Sequence, residues 1–309
     1  MRPLRLAVVL VAILIGAGFI GRDWLGIPDL PVNVLKSRYG RGSRTLQVMG
    51  APVRVEESGA GEPLLLLHGF ASSADTWDGW RARLGARYRV IAIDVPPFAI
   101  TGPLPGMTMN AETLQAFMDA LVRRLGLTRF SLAGNSLGGY VAWNYARRHP
   151  EKVDRLVLID SAGYPHEPPL AVWLMQMPLM RDLSGHFSPR PIVAASVRDV
   201  YGHPEQVTDV LIQRYQDLLR REGSRPAVTD LISSLKFDGS GVKEVRVPTL
   251  ILWGAKDRWI PPAHAALFHR DIPGSRVILY SDLGHVPMEE DPARTVDDVA
   301  RFLESDRQD

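Results

Sequence analysis

RFSLAGNSLGG, residues 129–139, joins an apolar run that predicts a strand to a segment that predicts a helix. Gly134 and Gly138 stand two residues before and two residues after Ser136, in the pattern G-x-S-x-G. A strand can turn so sharply into a helix only where these flanking residues lack side chains, because their backbones approach closely. The pattern therefore predicts a tight turn that holds the Ser136 hydroxyl clear of the sheet, at the positive end of the following helix.

Short apolar runs that end in turn residues alternate with helix-like stretches along the rest of the chain. This alternation is typical of an α/β protein with a mostly parallel, doubly wound sheet. Residues 111–125 carry apolar side chains at a spacing of 3.6 and predict an amphipathic helix that covers the sheet. The predicted strands are 63–68, 89–94, 129–133, 155–159, 249–253 and 275–280, with 45–49 and 53–58 as an antiparallel hairpin at the sheet edge.

About ninety residues separate the strand ending at Ile159 from the strand beginning at Thr249, far more than a crossover helix requires. Helical patterns interrupted by prolines fill this interval and predict an inserted helical cap at about 163–244. Trp173 and Met177 in this cap are expected to line an apolar substrate pocket, since such side chains adapt to flexible ligands. The alternative for each is that it packs the cap onto the main domain.

The composition excludes several classes of protein. Of 309 residues, 36 are basic and 34 acidic, so no one-sided positive charge is available and nucleic acid is not an expected partner. The chain contains no cysteine, which excludes a thiol nucleophile, a disulfide framework and a zinc site with cysteine ligands.

Three further motifs follow predicted strands. His68-Gly69-Phe70 follows the first parallel strand, Gly254 to Asp257 another, and Gly284-His285 the last. Together with the Ser136 turn they occur in the order Ser, Asp, His, and on these motifs residues 45–305 resemble the α/β-hydrolase superfamily, more narrowly its capped serine esterases and lipases. The resemblance implies an α/β-hydrolase fold over residues 45–309, with Ser136 as the nucleophile.

A serine hydroxyl needs a base to accept its proton, and an acid must orient that base. His285, placed after a glycine and the last predicted strand, is the expected base. Asp257 and Asp160 both follow predicted strands on the reactive side of the sheet. The commoner position of the acid in the superfamily matches Asp257 and a minority position matches Asp160, so Asp257 is the expected acid.

The resemblance also assigns an oxyanion hole to the backbone N–H groups of Phe70 and Leu137. Gly69 lets the chain turn so that the Phe70 N–H points inward, and His68 is expected to brace this loop. The sequence departs from the family in one loop beside the pocket mouth. Relatives carry D-x-P-G-x-G there, whereas residues 94–99 of this chain read DVPPFA, which predicts a stiffer loop and a different fit to substrate.

The expected function is hydrolysis of carboxylic esters through an acyl-enzyme intermediate on Ser136, without a metal or organic cofactor. The cap favours an apolar acyl or aromatic ester as the small-molecule substrate. Carbon–carbon bond hydrolysis or a perhydrolase activity with the same triad is the alternative among enzymes. A catalytically silent binding protein on the same fold is the alternative from another class, and a serine at this position argues against chemistry that uses an aspartate nucleophile.

The N-terminus predicts a membrane segment. Residues 6–21 contain no charged or strongly polar side chain, and Arg2 and Arg5 precede them. A retained signal-anchor over 1–21, followed by a tether over 22–44, is preferred over a cleaved signal peptide or a buried core helix. The two arginines predict a cytoplasmic N-terminus and therefore a catalytic domain on the outer side of the membrane; cleavage would instead give a secreted protein.

Overall fold

The computed structural model describes residues 21, 28–169, 172–173 and 188–305. An eight-stranded sheet in the order β1-β2-β4-β3-β5-β6-β7-β8 forms its centre. Strands β3 to β8 run parallel, while β2 pairs antiparallel with β1 and β4. The strands are β1 Arg44–Val48, β2 Ala51–Ser58, β3 Glu62–Leu67, β4 Tyr88–Ile93, β5 Phe130–Asn135, β6 Val153–Ile159, β7 Thr249–Gly254 and β8 Arg276–Tyr280.

Helices cover both faces of this sheet. Helices α3, α4 and α8 pack on one face, and α2 and α10 pack on the other. The helices are α1 Val32–Tyr39, α2 Asp78–Leu84, α3 Ala111–Leu125, α4 Leu137–Arg148, α5 Arg190–Asp199, α6 Asp209–Leu219, α7 Ser224–Ser234, α8 Ala263–Asp271, α9 Pro287–Glu290 and α10 Pro292–Glu304.

The mostly parallel, doubly wound sheet predicted from the alternation is confirmed. The interior strands are apolar on both faces, as expected where helices cover both sides; in β3, for example, residues 64–67 are fully buried leucines. Because β3, β5, β6 and β7 run parallel, their carboxyl ends meet at one edge. Each loop that carries a predicted site residue begins at or near this edge.

Helices α5, α6 and α7 lie between β6 and β7 in the chain, within the interval predicted as a cap. Helix α6 begins at an N-cap threonine, Thr208, whose side chain accepts the Leu211 N–H, and it buries one face that includes Ile212 and Leu218. Met177 and most of the predicted first cap helix lie outside the described residues.

The stretch predicted as a tether is folded over its described part. Helix α1 lies against the cap, where the fully buried Leu35 joins the same apolar cluster as Leu218. The Leu30 N–H donates to the Arg220 carbonyl at 2.6 Å, and Arg38 pairs with Asp217 at 2.6 Å. No helix among the described residues is long and apolar enough to span a membrane, and the predicted anchor lies outside them except for Gly21.

Candidate active site

Ser136 occupies the turn between β5 and α4. Its backbone has φ 55° and ψ −117°, a strained conformation for a residue with a side chain. A Cβ on Gly134 would lie 2.3 Å from the Gly138 carbonyl oxygen, and one on Gly138 would lie 2.2 Å from the Leu67 carbonyl oxygen. The glycines of the G-x-S-x-G pattern are therefore needed for close backbone approach, as predicted.

His285 and Asp257 form a buried pair at the same sheet edge. The His285 Nδ1 lies 2.8 Å from Asp257 Oδ2, and the two side chains are 4% and 0% exposed. Asp257 Oδ1 accepts the backbone N–H groups of Trp259 at 2.7 Å and Ile260 at 3.1 Å. Since one oxygen is held by the backbone, the other is fixed toward Nδ1, which donates and leaves Nε2 as an acceptor.

Ser136 and His285 line the same cavity. In the described part of the chain the Ser136 hydroxyl is not hydrogen bonded to His285. Such bonds are commonly long in free enzymes and tighten when substrate is bound. The arrangement can therefore pass a proton from Ser136 to His285 once a substrate fills the cavity.

The loop that carries His285 is fastened by groups distant in sequence. The His285 N–H donates to the Val200 carbonyl of the cap at 2.7 Å, and Asn135 Nδ2 donates to the His285 carbonyl at 2.9 Å. The Trp259 ring stacks on the imidazole with a centroid separation of 5.8 Å. Asn135 thus links the histidine loop directly to the turn that carries Ser136.

Glu290 joins the cap to the same loop. One carboxylate oxygen accepts the Gly284 N–H at 2.7 Å, and the other accepts the Gly202 and His203 N–H groups at 2.8 and 3.2 Å. Burial raises the pKa of Glu290, although its three backbone N–H partners oppose the rise. Asn135, Val200 and Glu290 were not predicted, because no local pattern relates them to His285.

The predicted oxyanion residues lie beside Ser136. A Cβ on Gly69 would lie 3.0 Å from the Ser136 Cβ, so the Gly69-Phe70 segment passes directly against the serine. Leu137 is the first residue of α4, where backbone N–H groups have no partner within the helix. Neither the Phe70 nor the Leu137 N–H has an acceptor among the described residues. Both are therefore available to a substrate oxygen.

His68 braces this loop. Its Nδ1 donates to the Gly69 carbonyl at 2.7 Å, and its Nε2 accepts the Val95 N–H at 2.9 Å. Burial lowers the pKa of His68 to about 4, so the ring is neutral near pH 7 with the proton on Nδ1. This geometry agrees with a bracing role and leaves neither ring nitrogen free to react.

Asp94 secures the loop of residues 94–99, which reads DVPPFA. Its two oxygens accept the Ala74 and Ile100 N–H groups at 2.8 and 2.9 Å, and burial raises the pKa of this carboxyl to about 6. The Phe98 ring packs edge-on against Phe70 with centroids 5.4 Å apart. Residues 94–100 are thereby held against the Gly69-Phe70 segment and contribute Phe98 and Ala99 to the cavity wall.

The cavity is mainly apolar. Its empty volume is about 1420 Å³, including the open mouth. Trp173 is 47% exposed and is not among its lining residues, so the structure does not place that side chain in the pocket. The apolar lining residues are Phe70, Ala71, Phe98, Ala99, Pro189, Ile192, Val193, Val197, Val200, Leu218, Leu219, Val228, Trp259 and Val286.

One cluster of side chains among the described residues is close enough to share a metal ion. It consists of Asp160, Asp257 and His285, whose possible ligand atoms lie within 4.8 Å of one another. Two ligands of one tetrahedral zinc lie about 3.3 Å apart, given metal–ligand distances of about 2.0 Å. The 2.8 Å separation of His285 and Asp257 is shorter than this and matches a charge-assisted hydrogen bond. The geometry of the His285–Asp257 pair therefore fits a shared proton rather than a shared metal ion.

A mostly parallel sheet that carries a serine on a strand–turn–helix, with a histidine–aspartate pair at the same edge, is the arrangement of the α/β-hydrolases. The chain belongs to this family: the model of the alpha/beta hydrolase family matches residues 64–298. The protein is thus a hydrolase of that family with a small-molecule substrate, and its α/β-hydrolase fold is as predicted.

Similar proteins differ in the bonds they cleave. Lipase 1 of Psychrobacter immobilis is 28% identical over 257 residues, covering 79% of this chain and 77% of that protein. The 2-hydroxy-6-oxo-2,4-heptadienoate hydrolase of Pseudomonas putida is 28% identical over 250 residues, covering 76% and 87%. The crystal structure of a bacterial membrane phospholipase A superposes with a TM-score of 0.75, at 25% identity, over 100% of both chains.

Proposed function

We propose that this protein hydrolyses carboxylic esters with an apolar acyl group, with Ser136 as nucleophile, His285 as general base and Asp257 as the acid that orients the base. The observation that carries the proposal is the shared position of Ser136 and His285 on the wall of an apolar cavity, with His285 fixed by Asp257 at 2.8 Å. This arrangement fits an acyl chain better than a charged substrate.

In the acylation step the Ser136 oxygen attacks the ester carbonyl carbon while His285 Nε2 accepts the hydroxyl proton. The carbonyl oxygen becomes an oxyanion and accepts the Phe70 and Leu137 N–H groups, each worth roughly 3 kcal/mol to the transition state. Asp257 stabilises the imidazolium that forms. The carbon–oxygen bond to the alcohol then breaks, and His285 returns its proton to the departing alcohol.

In the deacylation step a water molecule replaces the alcohol. His285 Nε2 accepts a proton from this water as its oxygen attacks the acyl carbon, and the same two N–H groups hold the second oxyanion. Collapse of the intermediate breaks the bond to the Ser136 oxygen, which takes the proton from His285. The carboxylic acid leaves, and the free enzyme is restored without any cofactor.

The polar groups of the cavity favour ester cleavage over carbon–carbon cleavage of an oxo-dienoate. A dienoate carries a carboxylate, which a cation without another partner in the pocket would bind most strongly. Among the described residues, Arg225 is the only lysine or arginine that lines the cavity. It forms an ion pair with Asp29 of the N-terminal segment. An apolar acyl chain needs no such partner, so the ester remains the preferred substrate.

Filling the cavity should shorten the preferred acyl chain. Val197→Phe on α5 and Val228→Phe on α7 add a ring to the cavity wall. Each methylene of substrate that loses its apolar contact costs about 0.8 kcal/mol, a roughly fourfold fall in kcat/KM. The measurement is kcat/KM across p-nitrophenyl esters of increasing chain length. Trp173→Ala, outside the cavity wall, is the control and should leave the profile unchanged; an unchanged profile in both phenylalanine variants would reject the cavity as the acyl site.

We also propose that residues 1–21 anchor the protein in a membrane, with the hydrolase domain on the outer side. The apolar run 6–21, with Arg2 and Arg5 before it, supports this orientation. The bacterial membrane phospholipase A is similar to this protein over the full length of both chains. Because Leu30 and α1 pack on the cap, the anchor would join the hydrolase domain beside the cap helices.

Cell fractionation tests the anchor. The full chain should sediment with membranes and resist extraction by high salt, since an inserted apolar helix is held by lipid rather than by charge. A chain beginning at Pro28 keeps α1 and should stay in the supernatant with undiminished ester hydrolysis. Recovery of a mature protein that lacks residues 1–21 by N-terminal sequencing would contradict a retained anchor and favour secretion.

A further inference from the structure

Asp160 lies at the carboxyl end of β6 and is fully buried. Its φ of 44° places it in the left-handed region, where an aspartate is uncommon. Its N–H donates to the Leu252 carbonyl at 3.0 Å, and its Oδ1 accepts the Gly254 N–H at 2.9 Å. One carboxyl oxygen therefore has a defined partner, supplied by the strand that leads to Asp257.

The other oxygen, Oδ2, is buried and has no N–H or O–H donor facing it among the described residues. The Asp160 carboxyl instead faces the histidine–aspartate pair, with its oxygen within 4.8 Å of both an Asp257 oxygen and a His285 ring nitrogen. Two carboxylates buried this close to each other repel strongly, and one of them is favoured to hold a proton. That proton would give Asp160 Oδ2 the partner it lacks.

Most of the surroundings of Asp160 also favour its neutral form. Burial raises the pKa of Asp160 well above its usual range, and the charges of Asp257 and Glu290 raise it further, while the Gly254 N–H opposes them. Tyr280 also interacts with the Asp160 charge, and the pKa of Tyr280 is raised, first by its own burial. Asp160 forms no ion pair with a lysine or arginine in the described part of the chain.

We propose that Asp160 is a neutral carboxylic acid whose O–H donates a hydrogen bond to Asp257, and that it thereby acts as a positioning residue for the acid of the triad. The proposal rests on the proposed function, in which Asp257 orients His285. A neutral Asp160 leaves one negative charge beside the imidazolium formed during attack. An ionised Asp160 would add a second charge and keep His285 protonated to higher pH, so less of the imidazole would be neutral and able to accept the Ser136 proton near pH 7.

Two substitutions separate the neutral acid from an ionised one. Asp160→Asn keeps a carbonyl for the Gly254 N–H and an N–H donor for Asp257, so kcat/KM should stay within about threefold and the acidic limb of its pH profile should not move. Asp160→Ala removes the donor and should lower kcat at least tenfold with little change in KM. If Asp160 were ionised, Asp160→Asn would remove a charge near His285 and shift that limb downward by about one pH unit, which would overturn the proposal.

Infrared spectroscopy in D₂O gives a readout that does not depend on activity. At pH 8, where Asp94 with a pKa of about 6 is ionised, the wild-type protein should show the carbonyl stretch of a protonated carboxyl that Asp160→Asn lacks. Absence of this band in the wild-type protein would overturn the proposal whatever the enzyme does. Presence of the band in a protein without esterase activity would instead contradict the proposed function and leave the state of Asp160 established.

Discussion

Ser136→Ala is expected to lower kcat for a p-nitrophenyl ester by about 10⁶-fold, the size of effect that removal of a serine nucleophile produces elsewhere. The substitution removes only the hydroxyl, so the φ 55° turn and the apolar contacts around it should remain. The thermal midpoint should therefore change by no more than a few degrees. Initial rates of ester hydrolysis and a thermal melt of the same sample measure both.

Ser196→Ala is the matched control, because Ser196 also lines the cavity but lies on cap helix α5. Its loss should change kcat by no more than a few-fold. Ester hydrolysis by the Ser136→Ala protein at one hundredth of the wild-type rate or more would show that another group attacks the ester. A folded wild-type protein with no hydrolysis of any ester in the series would instead favour the catalytically silent binding protein.

Asp257→Asn is expected to lower kcat by about 10⁴-fold with little change in KM, as for the triad acid of other serine hydrolases. The amide oxygen can still accept the Trp259 and Ile260 N–H groups. Its NH₂ then faces His285 Nδ1, which must become the acceptor. Nε2 consequently carries the proton and cannot take one from Ser136.

The loss of activity in Asp257→Asn is measured from its kcat and KM values and from the pH dependence of kcat/KM. Asp271→Asn provides a matched control, since Asp271 is a buried aspartate on α8 that pairs with Arg270 and Tyr164 and does not line the cavity. Its activity should stay within about threefold of wild type, because the reacting groups are untouched. A larger loss in Asp160→Asn than in Asp257→Asn would reverse the assignment of the acid.

The parts of the site that depend on local sequence could be predicted. The Ser136 turn follows from two glycines whose missing side chains permit close backbone approach. Asp257 and His285 each follow a strand of apolar residues, and parallel strands bring their carboxyl ends to one edge. The predicted strands agree with the observed strands to within two residues. For the central parallel strands the reason is that burial on both faces gives continuous apolar runs.

The parts that depend on distant contacts could not be predicted. Val200 supplies only a backbone carbonyl to His285, and nothing in a side-chain pattern reports a carbonyl. Asn135 at the end of β5 and Glu290 in α9 hold the same loop through hydrogen bonds that exist only in the folded chain. Helix α1 was not predicted because Leu35 is its one buried residue, so its sequence carries only a weak apolar repeat of helical spacing.

The side chains that line the pocket could not be predicted for a different reason. Trp173 and the valines of α5 are apolar residues of the same predicted cap, and hydrophobicity does not distinguish a side chain that lines a cavity from one that lies outside it. The structure places Val193 and Val197 in the wall and leaves Trp173 about half exposed. Met177 lies outside the described residues, and its role in the pocket stays a prediction.

Covalent labelling with a fluorophosphonate, followed by peptide mass spectrometry, tests the central claim most directly. The reagent phosphonylates a serine only where a base activates its hydroxyl, and here the expected product is a single adduct on the peptide that contains Ser136. Labelling should be lost in Ser136→Ala and strongly slowed in Asp257→Asn, because both depend on the same proton transfer. An active protein that carries its adduct on another residue, or that retains labelling in Ser136→Ala, would contradict the assignment of Ser136 as the nucleophile.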